Sequence, residues 1–144
     1  MSTPGIFSAL EVAGSGLTAE RGRMNIIASN LANARTTRTA DGGPYRRLDP
    51  VFEARSLAPT AFDPVMRSVQ RVTLQRVDRD EEPGALVYDP EHPDADETGY
   101  VEMPNVNVVT EMVNLMTASR AYEAGVTSIE SIKSMASAAL RIGK

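Results

Sequence analysis

The chain has 144 residues, 42% of them apolar and only 5% aromatic, with no tryptophan and a net charge of −4. That is enough for one compact body with a thin aliphatic core, and the acidic balance gives no general footing for nucleic-acid binding. The absence of cysteine removes disulfides, thiolate metal sites and a cysteine nucleophile.

The N-terminal stretch Met1-Ser2-Thr3-Pro4-Gly5 lacks a basic segment, and Glu11, Gly14, Ser15 and Gly16 break the run that follows. It does not read as a cleaved secretory signal. No run approaches the roughly 18 apolar residues of a membrane span. These features alone imply a cytoplasmic protein, or one exported by a route that does not read a cleaved signal.

Thr3 followed by Pro4 predicts a helix start, a hydroxyl cap and then proline at the first helical position. The helix is expected to reach about Ala34. Leu10, Leu17, Met24 and Leu31 fall seven apart, with Ala13, Ile27 and Ala34 on the alternate positions. This period holds an apolar seam against a partner helix. Glu20 interrupts the seam at an inward position. Gly14, Gly16 and Gly22 each cost about 1 kcal/mol relative to alanine. This first segment is therefore expected to be loose in the isolated subunit and to order on assembly.

Residues 36–44 read as loop, with a strong turn signal at Asp41-Gly42-Gly43-Pro44. Short strands follow. Residues 45–54 predict one, interrupted at Pro50 as an edge or bulge would be. Residues 69–77, with Val72-Thr73-Leu74, predict a second, and residues 85–88 a third. Pro59, Pro64, Pro83-Gly84 and the run from Asp89 to Gly99 read as turn or loop. Such an insert is too small for a substantial core of its own.

A second helix is expected after Pro104, capped by Asn105 or Asn107, with Glu111 in a first turn whose dipole favours negative charge. It is expected to continue to about Ile142. Met112, Leu115, Ser119, Tyr122, Val126, Ile129, Lys133, Ala136 and Leu140 step along it by threes and fours. Lys133, Arg141 and Lys144 suit its C-terminal end. Two terminal seams around a central insert imply a subunit that packs against copies or relatives of itself.

Charge is uneven along the chain. From Arg21 to Arg76 there are ten arginines and four acids, and from Asp78 to Glu102 ten acids and one base. Two solvated faces account for this. Head-to-tail complementarity between neighbouring subunits is the alternative.

Chemistry is sparse. His92 is the only histidine and lies in a loop rich in Pro and Asp. The acids at Asp89, Glu91, Asp94, Asp96 and Glu97 lack the order of a calcium-binding loop. There is no glycine-rich phosphate cradle and no nucleophile elbow. No catalytic, metal-binding or cofactor-binding residue is assigned, and no enzyme activity is expected.

Ala28-Ser29-Asn30-Leu31-Ala32-Asn33-Ala34 resembles the signature shared by bacterial flagellar rod and hook proteins. Asp41-Gly42-Gly43-Pro44-Tyr45-Arg46 is similar to the turn of one branch of that family. Similar to the same branch are Tyr88-Asp89-Pro90-Glu91-His92-Pro93 and the stretch from Gly99 to Asn107. So are Glu111-Met112-Val113-Asn114 and Ala118-Ser119-Arg120-Ala121-Tyr122-Glu123-Ala124. Residues 53–80 carry no such signature. The branch is the proximal rod. Gly125 stands where the family usually has Asn, a local weakness in the helix. Thr36-Thr37-Arg38 departs from the Thr-Thr-Gly-Phe continuation of distal-rod and hook relatives.

The resemblance implies a structural subunit of the flagellar basal-body proximal rod, polymerising through its terminal helices in the drive shaft for motility. A soluble helical adaptor or export chaperone is the alternative. The fold expected is mainly α with a small β insert. Residues 1–36 and 105–144 form two long helices paired as a coiled-coil-like hairpin, and residues 37–104 form a short-stranded or irregular, outward-facing insert. Expected partners are other rod subunits, copies of this chain and the flagellar type III export apparatus, with no nucleic acid and no membrane span. The expected location is the basal-body rod crossing the periplasm, reached without signal-peptide cleavage. Candidate subunit-interface residues are Leu10, Leu17, Met24, Ile27, Ser29, Asn30, Leu31 and Asn33 on the first helix. On the second they are Met112, Leu115, Ser119, Tyr122, Val126, Ile129, Ala136 and Leu140. Asn30 and Asn33 suit either local capping or an intersubunit bond.

Overall fold

A computed structural model describes residues 4–57 and 67–142. The Thr3 cap, the turn signals at Pro59 and Pro64, and Lys144 lie outside them. The order of elements is α1 (Pro4–Ala32), β1 (Leu48–Ser56), β2 (Gln70–Arg79), β3 (Leu86–Tyr88), β4 (Tyr100–Glu102) and α2 (Val108–Ile142). The fold is mainly helical with a small β part.

The helices form an antiparallel pair. Asn30, near the end of α1, meets Glu111 at the start of α2. Leu17 lies against Gly125, where a built Cβ would stand 2.7 Å from Leu17 Cδ2. The glycine read as a weak point is thus the seat for a leucine from the facing helix. The core is as thin as the composition implies: among the described residues the buried hydrophobic ones are Ala19, Ile27, Val101 and Ala118. Small side chains at Ala118 and Gly125 allow the helix axes to approach closely, and Ala19 lies toward β2 with Ser15 and Gly22.

β1 and β2 make a two-stranded antiparallel ribbon, and β3 and β4 a second, shorter one. The register of the first slips between Val51 and Phe52, just after Pro50. Proline has no N–H to give the ladder, and a bulge beside it is how an edge strand absorbs one. The β1–β2 ribbon leans on α1. Val72 N–H donates to Ser15 Oγ at 3.1 Å, and Leu74 Cδ2 lies 3.8 Å from the position of a Cβ on Gly22.

Asn107, not Asn105, caps α2. Its Oδ1 accepts from Thr110 N–H at 3.1 Å, one of the orphan donors of a helix start. The loop from Asp89 to Gly99 closes on itself. Asp89 N–H donates to Gly99 O at 2.9 Å. Asp96 Oδ1 accepts from Thr98 N–H at 2.8 Å, Thr98 Oγ1 at 2.7 Å and Tyr100 N–H at 2.9 Å. β4 is not anticipated by the sequence, where it lies within the stretch from Gly99 to Asn107 read as leading into the second helix.

The basic and acidic segments meet inside the chain. Arg38 pairs with Asp94 at 3.5 Å and Arg46 with Glu102 at 2.9 Å. Part of the complementarity offered as an alternative to two solvated faces therefore joins Arg38 and Arg46 to the β3–β4 unit of the same chain.

Candidate functional site

The end of α1, the root of the ribbon and the start of α2 converge on a buried polar node. Asn30 and Glu111 are each 1% exposed. A buried amide and a buried carboxylate are tolerated only when their hydrogen-bonding capacity is filled. Asn30 meets that condition. Its Nδ2 donates to Leu48 O at 2.9 Å and to Glu111 Oε2 at 3.1 Å. Its Oδ1 accepts from Leu48 N–H at 2.9 Å and from Tyr45 Oη at 3.0 Å. Both donors and both acceptor positions of the amide are used. Because Leu48 offers its N–H and its C=O to the same side chain, the Asn30 amide takes the place of a third strand along the free edge of β1.

Glu111 is held from its other oxygen. Arg47 Nε donates to Oε1 at 2.9 Å, and Arg47 Nη1 lies 2.7 Å from Asp49 Oδ2. Burial works against the charge on Arg47, but the hydrogen bonds to Asp49 and Glu111 outweigh it and raise its pKa above the ordinary guanidinium value. The arginine is a permanent cation. Asn105 closes the node on the far side. Its Oδ1 accepts from Arg47 N–H at 2.8 Å, and its Nδ2 donates to Asp80 O at 3.1 Å and Glu82 O at 3.0 Å. Both oxygens of Glu111 and all four hydrogen-bonding positions of Asn30 are engaged within the node. It holds elements at fixed angles.

The sequence-based interface residues divide in three. Ile27 and Asn30 are buried within the chain. Leu10, Leu17, Met24, Ser29 and Leu31 on α1, and Leu115, Ser119, Tyr122, Val126, Ile129 and Ala136 on α2, are half-buried. Asn33 is also half-buried and acts locally: its Nδ2 donates to Ser29 O at 2.9 Å, and its Oδ1 accepts from Thr36 Oγ1 at 3.2 Å. Met112 and Leu140 are exposed, at 53% and 76%. Met112 belongs to a different stripe. With Val109, Val113 and Met116 it follows the i, i+3, i+4, i+7 spacing of one helix face, and all four are between 53% and 72% exposed. At 3.6 residues per turn this face lies opposite the one carrying Glu111, Ala118 and Gly125. α2 therefore has two apolar faces: α1 covers one, and the chain leaves the other open.

Sequence reasoning missed Arg47 and Asn105 as members of the node and read Glu111 as a dipole partner. A signal was present. Glu111 stands at an inward position between Val108 and Leu115, and an acid there demands a cation or a donor.

Matches to known proteins follow the same two ends of the chain. The family described as "Flagella basal body rod protein" matches residues 10–38, and that described as "Flagellar basal body rod FlgEFG protein C-terminal" matches residues 97–142. A FlgC flagellar basal-body rod protein from Borreliella burgdorferi is 47% identical, covering 96% of this chain and 97% of the relative. The chain belongs to the FlgC family of flagellar basal-body rod proteins. The FlgC protein of Escherichia coli O6:H1 is 43% identical over 96% of this chain and 98% of the relative. That of Bacillus subtilis is 38% identical over 96% and 98%. The FlgC relatives therefore match at near full length, across the insert as well as the helices. Asn30, Glu111 and the open stripe on α2 all fall inside the two family segments.

Proposed function

We propose that the chain is a structural subunit of the flagellar basal-body rod and that it polymerises through its terminal helices. The observation that carries this is the second apolar face of α2, left open by a hairpin whose other face is closed. A contiguous exposed apolar patch marks an interaction surface. The FlgC names of relatives matching 96% of the chain support the rod as its setting. The adaptor or chaperone reading is not favoured, because those relatives are named as rod proteins.

The finer reading is a proximal-rod subunit in the part of the rod that crosses the periplasm. It acts without catalysis or cofactor, beside copies of itself and related rod subunits, and reaches the rod through the flagellar type III export apparatus with its N-terminus uncleaved. The half-buried seam residues Leu115, Tyr122 and Ile129 support assembly by holding α2 on α1, and Met112 by facing a neighbour. α1 is marginal in the isolated subunit: Gly14 and Gly16 have nothing within 4 Å of an added Cβ, so contacts inside the chain do not require them. Helical stability absent from the monomer would be recovered by burial in the polymer.

Purified basal bodies are the test. They are expected to contain the chain with its N-terminus uncleaved, as read by mass spectrometry, and to lose it when either terminal helix is truncated. Rods that lack it would refute the proposal. Amide protection of residues 5–20 in the isolated subunit would refute the marginal α1. Leu115→Asp and Ile129→Asp place a charge in the hairpin seam and are expected to abolish motility; normal swimming in both would show that the seam is dispensable.

A further inference from the structure

Glu20 is the one inward acid of the α1 seam. Its Oε2 is the buried side-chain oxygen or nitrogen that finds no hydrogen-bond partner among the described residues. The nearest cation is Arg23, whose Nη1 lies 3.9 Å away, outside hydrogen-bonding range. Glu20 stands at the edge of an open cleft of about 400 Å³ between the hairpin and the ribbon. Ala13, Gly16, Phe52, Val72 and Ala121 help to line it. The cleft is largely apolar and built mostly from small side chains on the two helices, and the Glu20 carboxylate at its edge is held inside the chain only by the long ion pair to Arg23.

The open stripe of α2 supplies the converse. One turn beyond Met116 on the same face stands Arg120, an exposed guanidinium with no ion-pair partner among the described residues. Val109, Met112, Val113 and Met116 followed by Arg120 present an apolar ridge ending in a cation. The cleft presents an apolar groove ending in an anion. The ridge lies on the face of α2 turned away from α1 and the cleft opens between the hairpin and the ribbon, so each copy can offer its ridge to one neighbour and its cleft to another. A ridge-to-cleft contact is heterologous and propagates from copy to copy.

We propose that the Val109–Met116 ridge of one copy seats in the cleft of a second copy of this chain, and that Arg120 of the first donates to Glu20 of the second. This rests on the rod-subunit reading and names the partner of its open face. Complementary charge at the end of an apolar contact fixes register. Four side chains fall well short of the roughly 800 Å² per partner of a stable complex. The contact therefore forms within the polymer alongside others, and the chain stays monomeric in dilute solution.

Charge exchange in full-length protein tests the pair. Incorporation into purified basal bodies is expected to fall about tenfold or more in Glu20→Arg and in Arg120→Glu, and to recover when both changes are made in one chain. Arg120 is exposed and unpartnered, so Arg120→Glu leaves the fold intact, as circular dichroism of the purified chain will verify. The absence of cysteine allows a direct probe. Cells carrying Glu20→Cys and Arg120→Cys chains together, treated with a short bismaleimide, are expected to yield a linked pair of this chain from assembled rods. Normal incorporation of both single reversals, a double variant no better than either, or linkage of position 120 to a different polypeptide would each overturn the contact. In those cases wild-type chain in the same rods keeps the rod reading intact; its absence from them would overturn both.

Discussion

At the scale of single residues, Asn30 joins three elements through four hydrogen bonds. Asn30→Ala would leave the Leu48 N–H, the Leu48 carbonyl and one Glu111 oxygen without their partner. A loss of about 3 kcal/mol of unfolding free energy is expected, because unmet buried groups carry their full desolvation penalty. Asn33→Ala removes only local bonds at the end of α1 and is expected to cost about 1 kcal/mol. Urea denaturation of the two variants beside wild type checks the contrast, and equal losses would contradict the geometry. Asp96 gives a dependence on pH. The bond from the Thr98 hydroxyl, followed by those from backbone amides, lowers its pKa below the ordinary 3.8. A carboxylate with a depressed folded-state pKa contributes its stability in full above the unfolded value and loses it as pH falls through the lower folded value. The β3–β4 loop is thus expected to hold from neutral pH down to about 4 and to loosen below it. NMR titration of the Asp96 carboxyl checks the direction. The node itself was hardly legible in the sequence. Asn30 and Glu111 are 81 positions apart, and nothing local to either says that they meet. Asn33, whose partners lie within four residues, left local capping visible in the sequence beside an intersubunit role.

At the scale of elements, the glycines separate into roles that a propensity scale treats alike. A Cβ on Gly84 would stand 1.6 Å from Met103 O. Backbone cannot step aside as a side-chain tip can, so Gly84→Ala is expected to unseat β3 from β4, seen as loss of slow-exchanging amides there. At Gly125 the obstacle is the tip of Leu17, which can rotate. Gly125→Ala is expected to leave stability within about 1 kcal/mol of wild type, the helix-propensity gain offsetting a shifted leucine. Gly14 meets nothing, so Gly14→Ala is expected to stabilise the isolated subunit by about 0.5–1 kcal/mol. A denaturation midpoint that did not rise would place an unseen constraint at that turn. The long helices were legible because an apolar period sustained over many turns survives a few exceptions. The Asp41–Pro44 turn was legible because Gly42 and Gly43 adopt positive φ values of 87° and 73°, a need that glycine advertises in sequence. The start of β1 was not. The first residues of the expected strand, Tyr45 to Arg47, instead turn their side chains to Asn30, Glu102 and Glu111, and pairing begins only at Leu48.

At the scale of the whole molecule, the helical hairpin and the ribbon are two long bodies with little core between them. Ordinarily such bodies would hinge about the residue 33–47 connection. Here the ribbon is fastened at its root. Asn30 holds the Leu48 backbone, Glu111 holds Arg47, and Asn105 holds Arg47 N–H together with the carbonyls of Asp80 and Glu82 just past β2. The start of β1 is thereby tied to both helices, and the segment just past β2 to the residues that lead into α2. A subunit of a rotating rod, as proposed above, has to pass torque between its hairpin and its ribbon without slip. In this chain that shear would cross the short bonds of the node, so the weakest place under twist is set by Asn30, Arg47 and Glu111 rather than by the thin apolar core.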